Sequence, residues 1–177
     1  MEQQSVMTSQ DIDRSLDRIS LEIIERHHGV EDLSLVGIHT GGVFLAQRLH
    51  KKVLQHQGVS LPIGVLDITL YRDDWSLIAQ NPIVRRSDIG FILEARKVVL
   101  VDDVVFTGRT VRAAMDALMD YGRPQSIQLA VLVDRGGREL PIQPDYVGMA
   151  MSVTGGVRVD VLLRECSEYD GVVLTTV

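Results

Sequence analysis

The sequence predicts an α/β fold built on a mostly parallel, twisted sheet flanked by helices. Three observations carry that prediction. Short branched apolar runs alternate along the chain with amphipathic helical patterns. One run, Val98 to Val101, is apolar without a break, the pattern of a strand covered on both faces. Between runs stand glycine-containing polar turns, which a right-handed βαβ arrangement collects along one edge of the sheet.

Thr8 and Asp11 have the spacing of a capping box, and Ile12, Leu16, Ile19, Ile23 and Ile24 then share one helical face. His27 and His28 suit a helix C-terminus, and Gly29 stops the helix. Leu33 to Ile38 reads as a strand and Gly42 to Gln57 as a helix with Phe44, Leu45, Leu49 and Val53 inward. Ile63 to Leu70 is the next strand, followed by the long polar stretch Tyr71 to Ala95. A strand from Val98 leads into a helix that runs to Tyr121, closed by Gly122 and Pro124. Ile127 to Val133 and Tyr146 to Met151 complete the strands. With 177 residues, 45% of them hydrophobic, the chain can bury one substantial core, so residues 1–177 are expected to form a single domain.

Composition excludes several classes. No apolar run reaches membrane-spanning length, and MEQQSVMTSQD lacks the basic and apolar regions of a signal peptide. The single cysteine, Cys166, cannot form an internal disulfide and fits a reducing cytoplasm. His27, His28, His39, His50 and His56 are scattered and show no zinc-ligand spacing. A net charge of −6 argues against a protein coated for nonspecific nucleic-acid binding, though it allows a local basic patch.

The chemistry concentrates in KVVLVDDVVFTGRTVR, Lys97 to Arg112. Asp102 and Asp103 sit at the carboxyl end of a buried strand, where open α/β sheets place their ligands. Val104, Val105 and Phe106 follow, and Thr107, Gly108, Arg109 and Thr110 then supply hydroxyls, a flexible turn, a fixed positive charge and helix-start amides, the groups that hold a phosphate. Such a site suits a ligand with sugar hydroxyls at one end and a phosphate at the other. Three further turns fall on the same edge. His39-Thr40-Gly41-Gly42 can bring backbone amides close to an anion. Tyr71 to Ala95 has the length of a lid, with Arg72, Arg85 and Arg86 available to close over the ligand and Asp73 and Asp74 keeping the open loop hydrated. Asp134-Arg135-Gly136-Gly137-Arg138 follows another strand and puts Arg135 near the pocket. No Gly-x-Gly-x-x-Gly follows the first strand, which removes a dinucleotide-binding oxidoreductase from consideration.

The Lys97–Arg112 string resembles the signature of type I phosphoribosyltransferases, which bind 5-phosphoribosyl-1-pyrophosphate (PRPP). Together with Leu66–Asp74, Val111–Pro124 and Leu129–Ile142, it resembles one branch, the PyrR family, from about Asp11 to Val147. That resemblance implies a type I phosphoribosyltransferase fold with a small terminal hood. It implies uracil phosphoribosyltransferase activity joined to UMP-responsive control of pyrimidine operons through leader RNA. Asp102 and Asp103 would take the ribose hydroxyls, and Phe106 to Thr110 would wrap the 5′-phosphate. Thr40, Gly41 and Gly42 would hold pyrophosphate, and backbone near Val159 would contact the base. Asp102, Asp103 and Arg72 are the catalytic candidates.

The resemblance also sets expectations for cofactor and partners. Mg²⁺ is expected to ride on PRPP rather than in a protein cage. Purine enzymes resembling this motif usually carry aspartate where this chain has Phe106, so uracil is the expected base. No side chain stands out as a general base, and uracil reacting as its anion needs none. Many PyrR relatives carry Lys-Thr-Arg-Gly at the position of His39 to Gly42, so this chain lacks one pyrophosphate donor. Relatives that bind RNA carry basic residues in regions where this chain keeps Arg26, Arg135 and Arg138 but has Gly137 and Met149. The expected partners are PRPP, uracil, UMP, a leader RNA and a second copy of the chain. Two alternatives remain open, an RNA-binding attenuator without activity and an enzyme without RNA control.

Overall fold

The computed structural model describes residues 3–73, 86–153 and 155–176. The chain opens with strand β1 (Gln3–Thr8), and Thr8 then caps α1 (Ser9–His27). The capping box forms in both directions: Thr8 Oγ1 accepts from the Asp11 amide, and Asp11 accepts from the Thr8 amide at 2.9 Å. Ile12, Leu16, Ile19 and Ile23 are buried on one face. The helix ends on His28, which itself takes the left-handed cap conformation, with Gly29 after it.

Next come β2 (Leu33–Ile38), α2 (Gly41–Gln57), β3 (Ile63–Leu66), β4 (Lys97–Val105), α3 (Arg109–Met119), β5 (Ser126–Asp134) and β6 (Tyr146–Ala150). These five strands form one sheet in the order β3-β2-β4-β5-β6, with every pairing parallel. Helices α1 and α2 pack on one face, with Leu35, Val99, Val101 and Leu132 beneath them. Helix α3 packs on the other, over Val98, Leu100, Leu129 and Val131. Alternation along β4 therefore feeds both cores, as expected of a strand buried on two sides.

Sequence expectations change at element ends, and α3 stops at Met119 rather than Tyr121. The strand from Ile63 stops at Leu66 rather than Leu70, because the Asp67 carboxylate accepts from the Thr69 amide at 3.0 Å and from its hydroxyl at 2.6 Å. That local ring turns the chain into a short 3₁₀ segment, Thr69–Tyr71. The strand from Val98 is longer than its apolar run, since pairing with β5 continues to Val105.

The hood is an antiparallel sheet, β1-β8-β7, made with β7 (Val157–Leu162) and β8 (Gly171–Thr176). It joins both chain ends, and Val159 and Val172 pack into the α1–α2 core. Arg48 of α2 ties the hood down. Its Nε donates to Glu165 Oε1 at 2.9 Å and its Nη2 to Glu165 Oε2 and Asp170 Oδ1 at 2.6 and 2.7 Å. The fork is bidentate and partly shielded. Replacing Arg48 with Ala is expected to lower unfolding free energy by about 1–2 kcal/mol in urea denaturation, the lower part of the range for charge-assisted bonds because the site is partly exposed. An unchanged midpoint would show that the hood is held by core packing, such as that of Val159 and Val172, alone.

Candidate active site

Asp102 and Asp103 lie near the carboxyl end of the central strand, and successive strand residues point to opposite faces. Asp103 lies on the α2 side, against Gly41, while Asp102 follows Leu100 towards the α3 side. Both still line one cleft of about 360 Å³, shared with His39, Thr40, Asp67, Ile68, Thr69, Arg72, Val104 and Thr110. Asp102 is only 5% exposed. Burial, reinforced by the Asp103 charge, pushes the Asp102 carboxyl well above the usual carboxylate range. Burial also raises Asp103, against hydrogen bonds from backbone amides. Asp102 Oδ1 accepts from the Asp103 amide at 2.9 Å, and Asp103 Oδ1 from the Val104 amide at 2.7 Å.

The glycines of the 39–42 turn are explained by this carboxylate strand. A Cβ on Gly41 would strike the Asp103 carboxylate, and one on Gly42 would strike the Val101 carbonyl. The turn therefore lies directly on β4, with a cis peptide between His39 and Thr40.

A second cleft, about 610 Å³, adjoins the first and is lined by Arg72, Asp73, Val104, Val105, Phe106, Thr107, Gly108, Arg109, Thr110, Val111 and Glu139. Gly108, at φ +93°, caps α3, whose first residues line the cleft; the Arg109 amide donates to Thr107 Oγ1 at 3.3 Å, and the next amides have no acceptor within the helix. Arg109 does not project freely. Its Nε donates to Glu139 at 2.7 Å and its Nη1 to Asp73. Asp73, expected to hydrate the loop, is instead an anchor for this arginine. Glu139 was not anticipated; its amide donates to the Thr107 carbonyl at 2.9 Å, a tertiary contact with no local signal.

The loop after β5 braces Phe106. The Arg135 guanidinium stacks 3.9 Å from the Phe106 ring centroid. Arg138 donates to the Phe106 carbonyl at 3.0 Å, to the Ile142 carbonyl at 2.9 Å and to Asp134 at 2.7 Å. The structure thus brings Thr40, Gly41, Gly42, Arg72, Asp102 to Thr110 and Arg135 to one edge of the sheet. Val159 is in the hood; the neighbouring Asp160 is close enough for its charge to contribute to the rise at Asp103. Arg86 is exposed beside Ser87, whose hydroxyl bonds the Asp67 amide at 2.9 Å. Asp74 and Arg85 lie outside the described residues.

Arg26 is not part of this group. It pairs with Asp145 at 3.1 Å and lies over the Tyr146 ring, where β6 begins, at the amino edge of the parallel sheet. The three arginines considered for RNA therefore do not form one cluster within a single chain. Asp67 and Thr69 were missed as cleft residues, although Asp-x-Thr after a strand is a legible turn signal. Among the described residues, no group of three or more His, Cys, Asp or Glu could hold a metal ion.

Residues 3–161 match the phosphoribosyl transferase domain, so fold and cleft define a phosphoribosyltransferase. The solved hypoxanthine-guanine phosphoribosyltransferase of Bacillus anthracis superposes over 100% of both chains with a TM-score of 0.72 at 16% identity. That of Trypanosoma cruzi, a hypoxanthine phosphoribosyltransferase, covers 98% of this chain and 96% of its own with the same score at 17% identity. At such identities they show the fold alone. The bifunctional protein PyrR of Deinococcus deserti is 54% identical over 170 residues, covering 96% of this chain and 93% of its own. PyrR of Listeria monocytogenes is 54% identical over 173 residues, covering 96% and 94%. The chain belongs to the PyrR family of phosphoribosyltransferases.

The buried carboxylates make a stability prediction. An unfolded aspartate ionises near about pH 3.9, and both folded carboxyls ionise higher, so the folded state binds more protons in between. Stability from the protonated pair is present at low pH and is lost as pH rises through the folded value. Asp102→Asn keeps the acceptor for the Asp103 amide without a buried charge. Its melting temperature is expected to exceed that of the wild type increasingly as pH rises above about 4, by about 2–4 °C for each kcal/mol removed. A variant that melts below the wild type at all pH values would contradict the burial argument.

Proposed function

We propose that the protein transfers the ribosyl phosphate of PRPP to uracil, giving UMP and pyrophosphate, and that it regulates pyrimidine operon expression in the cytoplasm through UMP-responsive binding of leader RNA. The observation that carries the enzymatic half is the meeting of two carboxylates and a helix-capped phosphate cradle in adjoining clefts. The family relationship at 54% identity supports both halves.

In this reading Asp102 and Asp103 accept the ribose 2′- and 3′-hydroxyls, and the Thr107–Thr110 turn holds the 5′-phosphate on its amides. Pyrophosphate lies against Thr40, Gly41 and Gly42, with Arg72 between the two clefts. N1 of uracil attacks the anomeric carbon as the pyrophosphate oxygen leaves with its electron pair. Positive charge grows on the sugar, close to the carboxylates, so catalysis is positioning and electrostatics. Mg²⁺ carried by PRPP would neutralise the leaving pyrophosphate, as hard cations do on phosphate-bearing substrates. Phe106 offers a planar apolar surface and no carboxylate for a purine imidazole, and backbone near Val159 reads the base from the hood.

The arginines considered for RNA lie at opposite sheet edges, so a continuous basic surface requires a second copy related by twofold symmetry. Each is also engaged within the chain, Arg26 with Asp145, Arg138 with Asp134, and Arg135 on Phe106. RNA phosphates have to displace those partners or share them.

Steady-state assays with uracil, hypoxanthine and guanine test the enzyme. UMP formation is expected to dominate by orders of magnitude, and the combined Asp102→Asn and Asp103→Asn change is expected to abolish it. Efficient turnover of a purine would overturn the base assignment. For RNA, affinity for the pyrimidine-operon leader is expected to exceed that for a scrambled RNA, to rise with UMP and to fall with salt. Arg26→Ala is expected to reduce the salt slope by up to about 0.9 for a lost phosphate contact. No preference for the leader at any UMP concentration would remove the regulatory half.

A further inference from the structure

Phe106 is 44% exposed and lines the larger cleft, but only one face of its ring is open. The other carries the Arg135 guanidinium 3.9 Å from the ring centroid. Gly137, at φ +77°, closes an edge so tightly that a Cβ there would strike the ring, and Arg138 holds the Phe106 carbonyl at 3.0 Å. One loop thus fixes the plane of one ring from three sides.

The cation behind that ring is unusual among its neighbours. Arg109 and Arg138 each hold a carboxylate. Among the described residues no carboxylate pairs with Arg135, and its Nε is buried without a hydrogen-bond partner. A half-buried permanent cation lacking a counter-ion is unfavourable, and one aromatic face offsets only part of that. A negative charge arriving at the open face of Phe106 would complete the arrangement. The other charges nearby are internally matched or belong to the ribose site: Asp134 with Arg138, Glu139 and Asp73 with Arg109, and the acids Asp102, Asp103 and Asp160. Arg72 lines the cleft as a second cation.

We propose that Arg135, acting through the Phe106 ring, holds the pyrimidine base as its N1 anion and so takes the place of a general base. The inference rests on the uracil transferase reading and deepens it. A base stacked on the open face puts its ring about 7 Å from the guanidinium, close enough for a cation in a partly shielded site to favour the anion by about ten- to fiftyfold. The N1 proton goes to solvent. The N1 electron pair then forms the bond to the anomeric carbon as pyrophosphate departs. Arg135 touches Phe106 rather than the base and is a positioning residue in that sense.

5-Fluorouracil ionises more readily than uracil and depends less on such help. Arg135→Gln is expected to lower kcat/KM for uracil by about ten- to fiftyfold, to lower it several-fold less for 5-fluorouracil, and to move the acid limb of the uracil pH profile upward. Arg135→Lys is expected to restore most of the loss, and Phe106→Leu to show the same selectivity as Arg135→Gln. Fluorine NMR of 5-fluorouracil bound to the wild-type protein is expected to give an ionisation midpoint about one to two pH units below that of the free base. Equal losses for the two bases, a bound midpoint at the free value, or an effect confined to KM for PRPP would each overturn the proposal. The last result would make Arg135 a phosphate ligand. If the wild-type protein forms no UMP yet shows the lowered midpoint, the transferase reading falls and the anion site stands.

Discussion

Two adjacent carboxylates on the central strand of a parallel sheet are the constraint from which the site follows. Inside the sheet, Asp102 and Asp103 would face two different apolar cores. Near its carboxyl end the helices no longer cover the strand, and side chains from both faces reach the same cleft. The pair is still deeply buried, so its charge is opposed by desolvation and by mutual repulsion. A ligand whose hydroxyls donate hydrogen bonds to the pair would offset the desolvation, because those bonds replace the lost water. In the transferase reading, that unfavourable burial is what a ribose diol would offset.

Elements around the pair are shaped by it. The 39–42 turn requires glycines because it lies against Val101 and Asp103. The loop after β5 reaches across to the phosphate cradle, where Glu139 meets Arg109 and the Thr107 carbonyl, and where Arg135 and Arg138 brace Phe106. The hood packs on the core through Val159, brings the Asp160 charge near Asp103, and is tied to α2 by Arg48, the same helix that begins with the glycine turn. The two clefts are therefore lined by elements that also hold one another.

Much of this was legible in the chain itself. Periodicity located α1, α2 and the strands β2, β4, β5 and β6, because each buries a regular apolar pattern. Residue chemistry singled out Asp102 to Thr110, since ligands recur at strand ends and helix starts, and the structure sets most of these residues along the two adjoining clefts. The overlong strand beyond Leu66 came from following apolar residues past Asp67, whose side chain forms a competing turn. The antiparallel hood was expected only from family likeness. Its first strand, Gln3–Thr8, is mostly polar with Met7 alone buried, although Val157, Val159 and Val161 do alternate along β7. Pairings such as Arg109 with Glu139 and Arg135 with Phe106 join residues about thirty positions apart, and no local pattern encodes them.

The most direct measurement is the proton balance of PRPP binding, by calorimetry in buffers of different ionisation enthalpy. The folded carboxyls are raised by burial, and hydrogen bonds from the ligand would favour their ionised form, so binding is expected to release protons at pH values above the ordinary aspartate range, the release fading once pH passes the folded values. Asp102→Asn is expected to weaken binding and to reduce that release. Tight PRPP binding without net proton release, or release unchanged in the variant, would contradict the claim that the buried pair is the ribose site.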